Sequence, residues 1–255
     1  MSALEIKERI LQKDRSVLDQ PGLISARVLP ELLELCSHPD GEVRDLALSA
    51  LNLLSGPPVR EAIRKALRDP EVAIRSHAAL FLHQHADRAD LKELKVELAG
   101  NRDEFVREQV AMVLGKLNEP DMKPVLRGQL AAETDEYVSH AILLALARLG
   151  DEPSRRSVMA RLMDDSPRVR VEALKDLEYL EDRKLARSVR PLLGDLRNAV
   201  NVGLSHSPEY IRVCDVAINT LDVLLAHPFP FVLQRTRRYG EGQIEQAINV
   251  LEQQP

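Results

Sequence analysis

Tryptophan is absent from this chain of 255 residues, and four phenylalanines and four tyrosines are its whole aromatic complement. Strand-rich folds lean on aromatic and β-branched residues, whereas the apolar 44% here is mostly Leu, Ala and Val, so helices are expected. Cysteine is nearly absent too. Cys36 and Cys214 lie far apart in sequence and read as buried thiols rather than a disulfide, which suits a reducing compartment. No apolar run is long enough to span a bilayer, and the opening MSALEIKERILQKDR is charged and helical in pattern with no apolar leader core; a cytoplasmic protein is expected. Positive charge is also short. A net charge of −5 supplies no global field to draw the chain to DNA, RNA or anionic lipid, which excludes general nucleic-acid binding while leaving room for a local basic patch.

Signatures of catalysis are equally scarce. Gly240-Glu241-Gly242 matches no phosphate-cradling loop, and no Gly-x-Ser-x-Gly turn occurs. His77, His83 and His85 cluster in sequence, but on a helix His83 and His85 point about 200° apart, and His77 and His85 stand two turns from one another. No metal, cofactor or catalytic residue is therefore expected.

What the chain does have is periodicity. Val43, Ile74, Val106, Val138 and Val169 are separated by 31, 32, 32 and 31 residues, and each opens a run with an apolar residue four positions later (Ala47, Ala78, Val110, Ile142, Ala173) and eight positions later (Leu51, Leu82, Leu114, Leu146, Leu177). A second series, Cys36, Leu67, Leu98, Leu130, Leu162 and Leu193, runs in phase ahead of it. Two helix patterns per period predict stacked helical hairpins, because one hairpin cannot bury its own apolar face. First helices are expected at roughly 24–37, 58–68, 89–99, 121–132, 152–163 and 183–193, second helices at roughly 41–54, 71–85, 103–117, 135–149, 167–180 and 208–226. Asp40-Gly41, Asp69-Pro70-Glu71, Asp103-Glu104, Asp135-Glu136 and Ser166-Pro167 supply start signals for the second helices.

The units HPDGEVRDLALSAL, DPEVAIRSHAALFL, NRDEFVREQVAMVL and DDSPRVRVEALKDL resemble HEAT repeats, particularly the short bacterial variety also found in phycobilisome lyases. The resemblance covers residues 24 to 226. It implies an all-α solenoid, a superhelix of about six hairpins, organised as one domain over 1–255: an N-terminal cap at 1–23, repeats at 24–226, and a C-terminal strap and capping helix at 227–255. It also implies that Arg44, Arg75, Arg107, Arg170 and Arg212, each one position after its anchor, pair with acids about five positions earlier, such as Asp69 and Asp164, and so tie one repeat to the next. Ser139 interrupts that row and marks the third-to-fourth junction as the expected soft joint. HEAT enzymes that hydroxylate a modified lysine carry repeated His-Glu pairs, which this chain lacks. HEAT-like DNA glycosylases need a basic, aromatic concave surface, which its composition denies.

Departures from the pattern concentrate near the end. Leu193 precedes the last anchor, Ile211, by 18 residues rather than 7 or 8, so about ten residues are inserted near 194–207, either as a rim loop or as a longer helix with a capping loop. Arg183, Arg187 and Arg190 share a helical face, with Arg197 in the insertion and Arg235, Arg237 and Arg238 beyond it. Asp215 and Asn219 occupy repeat-core positions, so either they are hydrogen-bonded there or the last helix is rotated to bury Cys214, Ala217, Ile218 and Leu221 instead; rotation is the favoured expectation. His227-Pro228-Phe229-Pro230-Phe231 reads as an extended strap before a final helix at 241–252.

The resulting expectation is a non-enzymatic scaffold that binds another protein, one with an acidic patch, along the face formed by the second helices. Its contacts are expected from Arg44, Asp45 and Leu48; Arg75, Ser76 and His83; Arg107 and Glu108; His140 and Leu143; and, at the C-terminal end, Arg183, Arg187, Arg190 and Arg197. The alternative, implied by the resemblance alone, is a chromophore carrier or lyase like those that deliver a bilin to a phycobiliprotein cysteine, with the insertion and strap as its site.

Overall fold

A computed structural model describes residues 2–20, 22–204 and 206–253. Met1 and Pro21 of the expected N-terminal cap, Ser205 of the insertion, and Gln254 and Pro255 of the final cap lie outside them. The chain divides into two compact units, Met1–Ala145 and Leu146–Pro255.

In the first unit, α1 (Ala3–Leu11) opens with a capping box, in which the Ser2 hydroxyl accepts from the Glu5 amide while Glu5 reaches back to the Ser2 amide. Four hairpins follow: α2 (Leu29–Leu35) with α3 (Gly41–Leu51), α4 (Pro57–Ala66) with α5 (Val72–His85), α6 (Leu91–Gly100) with α7 (Glu104–Leu117), and α8 (Met122–Ala132) with α9 (Glu136–Arg148), whose last turn belongs to the second unit. The expected start signals operate in variations. Asp40, Asp103 and Asp135 accept amide hydrogen bonds from the first turns of α3, α7 and α9, whereas Asp69 accepts from the Glu71 amide just before α5. Second helices pack more closely on one another than first helices do, because Ala47, Ala50, Ala78, Ala79 and Ala111 keep their facing sides thin and bury completely.

The arginine row is the inter-repeat fastener, but it runs forward. Arg44 makes a forked pair with Asp69, 25 residues ahead, at 2.8 and 2.9 Å, while its remaining nitrogen donates to the carbonyls of His38 and Pro39 at 2.9 and 3.0 Å. Arg75 repeats this with Asp103 at 2.6 Å and the carbonyls of Asp69 and Pro70, and Arg107 with Glu133 at 3.0 Å through both oxygens and the carbonyl of Asn101. The expectation of an acid five positions earlier is thus corrected. Backbone carbonyls stand five and six residues back, and the acid belongs to the next repeat. The physical reason is the fork itself, whose separate edges satisfy a neutral acceptor behind and an anion ahead. The third-to-fourth junction, expected to be soft, carries the Arg107–Glu133 pair; the division between the units falls instead within α9, the helix of Ser139.

The second unit pairs α10 (Glu152–Ala160) and α11 (Pro167–Leu180), with Arg170 reaching Asp195, 25 residues ahead, at 3.0 Å and the Asp164 carbonyl at 2.5 Å. The last first-helix is not α-helical. Arg183–Gly194 is wound as a 3₁₀ segment with Pro191 inside it. The insertion is neither a longer helix nor an open loop. Strands β1 (Asn198–Asn201) and β2 (Tyr210–Arg212) form an antiparallel ribbon, so α12 begins at Val213 and runs to Leu225, later than the expected 208. The strap and α13 (Glu241–Glu252) follow as expected. Among the described residues no helix is long and apolar enough to cross a membrane.

Replacing Arg75 by alanine strands the buried Asp103 carboxylate and is expected to cost about 3 kcal/mol in urea unfolding, whereas Arg168→Ala, which removes an exposed i,i+4 pair with Glu172, costs under about 0.5 kcal/mol. Arg107 holds the Glu133 carboxyl down to about 2 from its ordinary 4.5. A depressed carboxyl stabilises the fold above its unfolded value and loses that contribution as pH falls from 4.5 towards 2; Glu133→Gln is expected to flatten the stability curve across that window.

Candidate functional site

Each second helix of the first unit presents a rib of side chains two, six and nine positions after its anchor, because these lie on the face turned away from the hairpin core. The ribs read Asp45, Ser49 and, at the C-cap, Asn52 for α3; Ser76, Leu80 and His83 on α5; Glu108 and Met112 on α7; and His140 on α9, where the sixth position, Leu144, is buried. Polar bonds stitch the ribs together. His77 Nδ1 stands 2.5 Å from Asp45, His83 Nε2 2.8 Å from Gln109, and His85 Nε2 2.9 Å from Asn52. The three histidines therefore serve separate neighbours, and among the described residues no cluster of three metal-ligating side chains forms. Burial pushes the His83 imidazole down despite its bond to Gln109. Burial pushes the Glu108 carboxyl up, with Asp135 reinforcing and His140 opposing.

The expected contact residues separate into two sets. Arg44, Arg75 and Leu48 are buried and Arg107 is largely so, all spent on packing or the fastener, and Asp45 is buried against His77 and Arg15. Arginine one position after an anchor lies on the seam between repeats rather than on the open face, which is why these expectations fail. Ser76, His83, Glu108 and His140 are half-buried on the ribs, and Leu143 is half-buried on α9. Leu80, 48% exposed, and the half-buried Met112 complete the ribs; they were missed because an aliphatic residue between polar neighbours reads as core.

A cavity of about 290 Å³ lies among α2, α3 and α4, lined by Cys36, Leu48 and Ile74 beside Arg44 and Asp69. Burial pushes the Cys36 thiol to about 12 and Cys214 to about 11, so both stay protonated at neutral pH and neither is a ready nucleophile.

In the second unit, three residues per 3₁₀ turn align Lys184, Arg187 and Arg190, while Arg183, also exposed, stands at the head of the row of Ala186, Val189 and Leu192. Arg190 meets Glu252 of α13 at 3.4 Å, and Arg197 is held by Asp195 at 2.7 and 2.9 Å. The α12 helix buries Cys214, Ala217, Ile218 and Leu221 as expected, but not in place of Asp215 and Asn219, which are buried and hydrogen-bonded too. Asp215 is 0% exposed and Asn219 is buried beside it, and both are satisfied by the strap. Asp215 accepts from Arg212 and from the Tyr239 amide at 2.9 Å, the Tyr239 hydroxyl donates to Asn219 at 2.7 Å, and Arg212 donates to the Tyr239 carbonyl at 2.7 Å. Burial raises the Asp215 carboxyl, but Arg212 and these amides outweigh it and hold it below the usual range. Phe229 stacks on Phe231, which leans on Tyr239, and His227 meets the buried Asp222 at 2.6 Å.

A family model of HEAT repeats matches residues 29–96 and 61–147. Among solved structures, the chain is similar to the complex of CpcE and CpcF of phycocyanin lyase from Nostoc sp. PCC7120, at 16% identity over 98% of this chain and 87% of that one, with a TM-score of 0.53. It is also similar to human deoxyhypusine hydroxylase, at 17% identity over 89% of this chain and 96% of that one, with a TM-score of 0.43. At these identities the likeness is one of fold. No curated protein matches the sequence.

Removing the one hydroxyl that bridges strap and helix, in Tyr239→Phe, leaves Asn219 and the Gln234 amide without their partner and is expected to cost about 2 kcal/mol. Hydrogen exchange should quicken at amides 227–239 while the first unit is unchanged.

Proposed function

Residues 29–147 belong to the HEAT-repeat family, and from that footing we propose that the chain is a non-enzymatic scaffold binding a partner protein along the ribs of its second helices. The observation that carries this reading is the rib of α5, where Leu80 stands half in solvent between Ser76 and His83. Met112 continues an aliphatic centre on the rib of α7, and Glu108 and His140 give it a polar margin. Aliphatic anchors ringed by polar groups are the composition of a protein interface rather than of a nucleic-acid groove. Rigidity supports the same reading, since ribs tied by Arg44–Asp69, Arg75–Asp103 and Arg107–Glu133 meet a partner without first being ordered.

The likeness to a phycocyanin lyase complex is one of fold and brings no substrate with it. A bilin cargo would announce itself as visible absorption in the purified protein.

Protein purified from its native cells is expected to co-elute with a colourless protein partner in fixed ratio. Leu80→Glu should remove that partner while changing stability by less than about 1 kcal/mol, because the side chain is already half in water. Retention of the partner by Leu80→Glu defeats the proposed face. A coloured tetrapyrrole in place of a protein defeats the scaffold reading in favour of a chromophore carrier.

A further inference from the structure

The chain is acidic overall, yet its segment 183–240 holds nine lysines and arginines against four carboxylates. Three of those carboxylates, Asp195, Asp215 and Asp222, are buried in bonds to the fold, which leaves Glu209 alone exposed. The arginines differ sharply in what they do. Arg212 is spent on Asp215 and the Tyr239 carbonyl, and Arg197 on Asp195. Arg238 folds back to the ribbon, donating to the Tyr210 carbonyl at 2.7 Å and to Asn198 at 2.6 Å. Arg235 and Arg237 are exposed, and their guanidinium groups make no hydrogen bond or ion pair among the described residues.

The backbone that carries these two free arginines is held with unusual care. A turn closes between the Arg237 amide and the Gln234 carbonyl at 3.0 Å, and the Gln234 amide donates to the Tyr239 hydroxyl at 2.9 Å. Tyr239 is 4% exposed, with amide and hydroxyl bonded to Asp215 and Asn219 of α12 and carbonyl to Arg212 at the end of β2. The same bonds that satisfy the buried Asp215 and Asn219 thus fix the turn that carries Arg235 and Arg237. Two guanidinium groups on a pinned turn lose little backbone freedom on binding, which is the arrangement that favours capture of carboxylates. Val232, 82% exposed, precedes the turn, and Tyr210, whose carbonyl Arg238 holds, is itself partly exposed, so apolar surface adjoins the charge.

We propose that the turn Gln234–Tyr239, with Arg235 and Arg237 at its tip, is the docking site for an acidic polypeptide segment of the partner. This rests on the scaffold reading and names the partner's chemistry. Two unpaired cations beside an aliphatic side chain suit a short run of Asp and Glu carrying an apolar residue. A nucleic acid or an anionic membrane needs many more cations to offset the negative charge on the rest of the chain.

The full-length protein would be titrated against a short fluorescein-labelled Asp/Glu peptide with a central Leu-Leu, an oligonucleotide of similar length, and vesicles containing phosphatidylserine. The peptide is expected to bind with a salt-sensitive affinity that falls about tenfold or more in R235E/R237E and is largely kept in R235K/R237K, with the melting transition of both variants unmoved. Tyr239→Phe keeps both charges and loosens the turn, so a smaller loss is expected there. Equal affinity of wild type and R235E/R237E for the peptide, or preference for the oligonucleotide or the vesicles, overturns the proposal. Should native partner recovery depend on Leu80 but not on the turn, this inference falls and the scaffold reading stands; dependence on the turn but not on Leu80 has the opposite meaning.

Discussion

A forked arginine that grips its own turn with one edge and the next repeat with the other is the constraint on which the stacking of hairpins depends. Apolar burial between helices is strong but non-directional, and alanine-rich faces such as those of α3 and α5 would slide past one another with little penalty. The pairs Arg44–Asp69, Arg75–Asp103 and Arg107–Glu133 set the register of that sliding, because a guanidinium matches a carboxylate in few orientations. Spending these arginines on the seam is also what leaves the ribs to Ser76, Leu80, Glu108, Met112 and His140. The fastener and the binding face are neighbouring positions on one helix turn with opposite fates.

The second unit solves a different problem. Its last helix has no further hairpin to lean on among the described residues, and α12 is covered by an extended strap that lacks a helix's apolar stripe. Polar residues at core positions are the counterpart of that cover. Asp215, Asn219 and Asp222 meet a backbone amide, a phenol and an imidazole of the strap, and the free amide is a group that the interior of a packed helix cannot offer. Desolvating a carboxylate such as Asp215 is tolerable only because Arg212 and the Tyr239 amide reach it together.

Helix number, order and most boundaries were legible because the 31- and 32-residue spacing and the apolar pattern within it both follow from helix geometry. What escaped the sequence depends on partners distant along the chain. The arginine row was visible, but not the direction in which it reaches, since an acid five residues behind and one 25 residues ahead are equally present in the text of Asp69 and Asp164. Asp215 and Asn219 were seen as anomalies, and rotation was the expected remedy because the bonding capacity of Tyr239, 24 and 20 residues away, carries no local signal. The ribbon was hidden for a similar reason: a four-residue and a three-residue strand leave no alternation to detect. On the candidate face, polar rib residues were found and the aliphatic centre, Leu80 and Met112, was not, as exposure is a tertiary property.

The forward reach of the arginines bears on how such a chain changes length. Arg44, Arg75 and Arg107 find their acids 25 to 28 residues on, in the turn that opens the next second helix, whereas the Asp195 that Arg170 reaches stands ahead of the ribbon. Loss or duplication of one whole period, 31 or 32 residues, therefore re-joins an arginine with an equivalent acid, whereas a change of half a period sets it against the wrong side of a helix. Variation in such an array is quantised, with tolerated insertions and deletions arriving as complete repeats and fractional ones confined to places, like the ribbon, that lie off the seam.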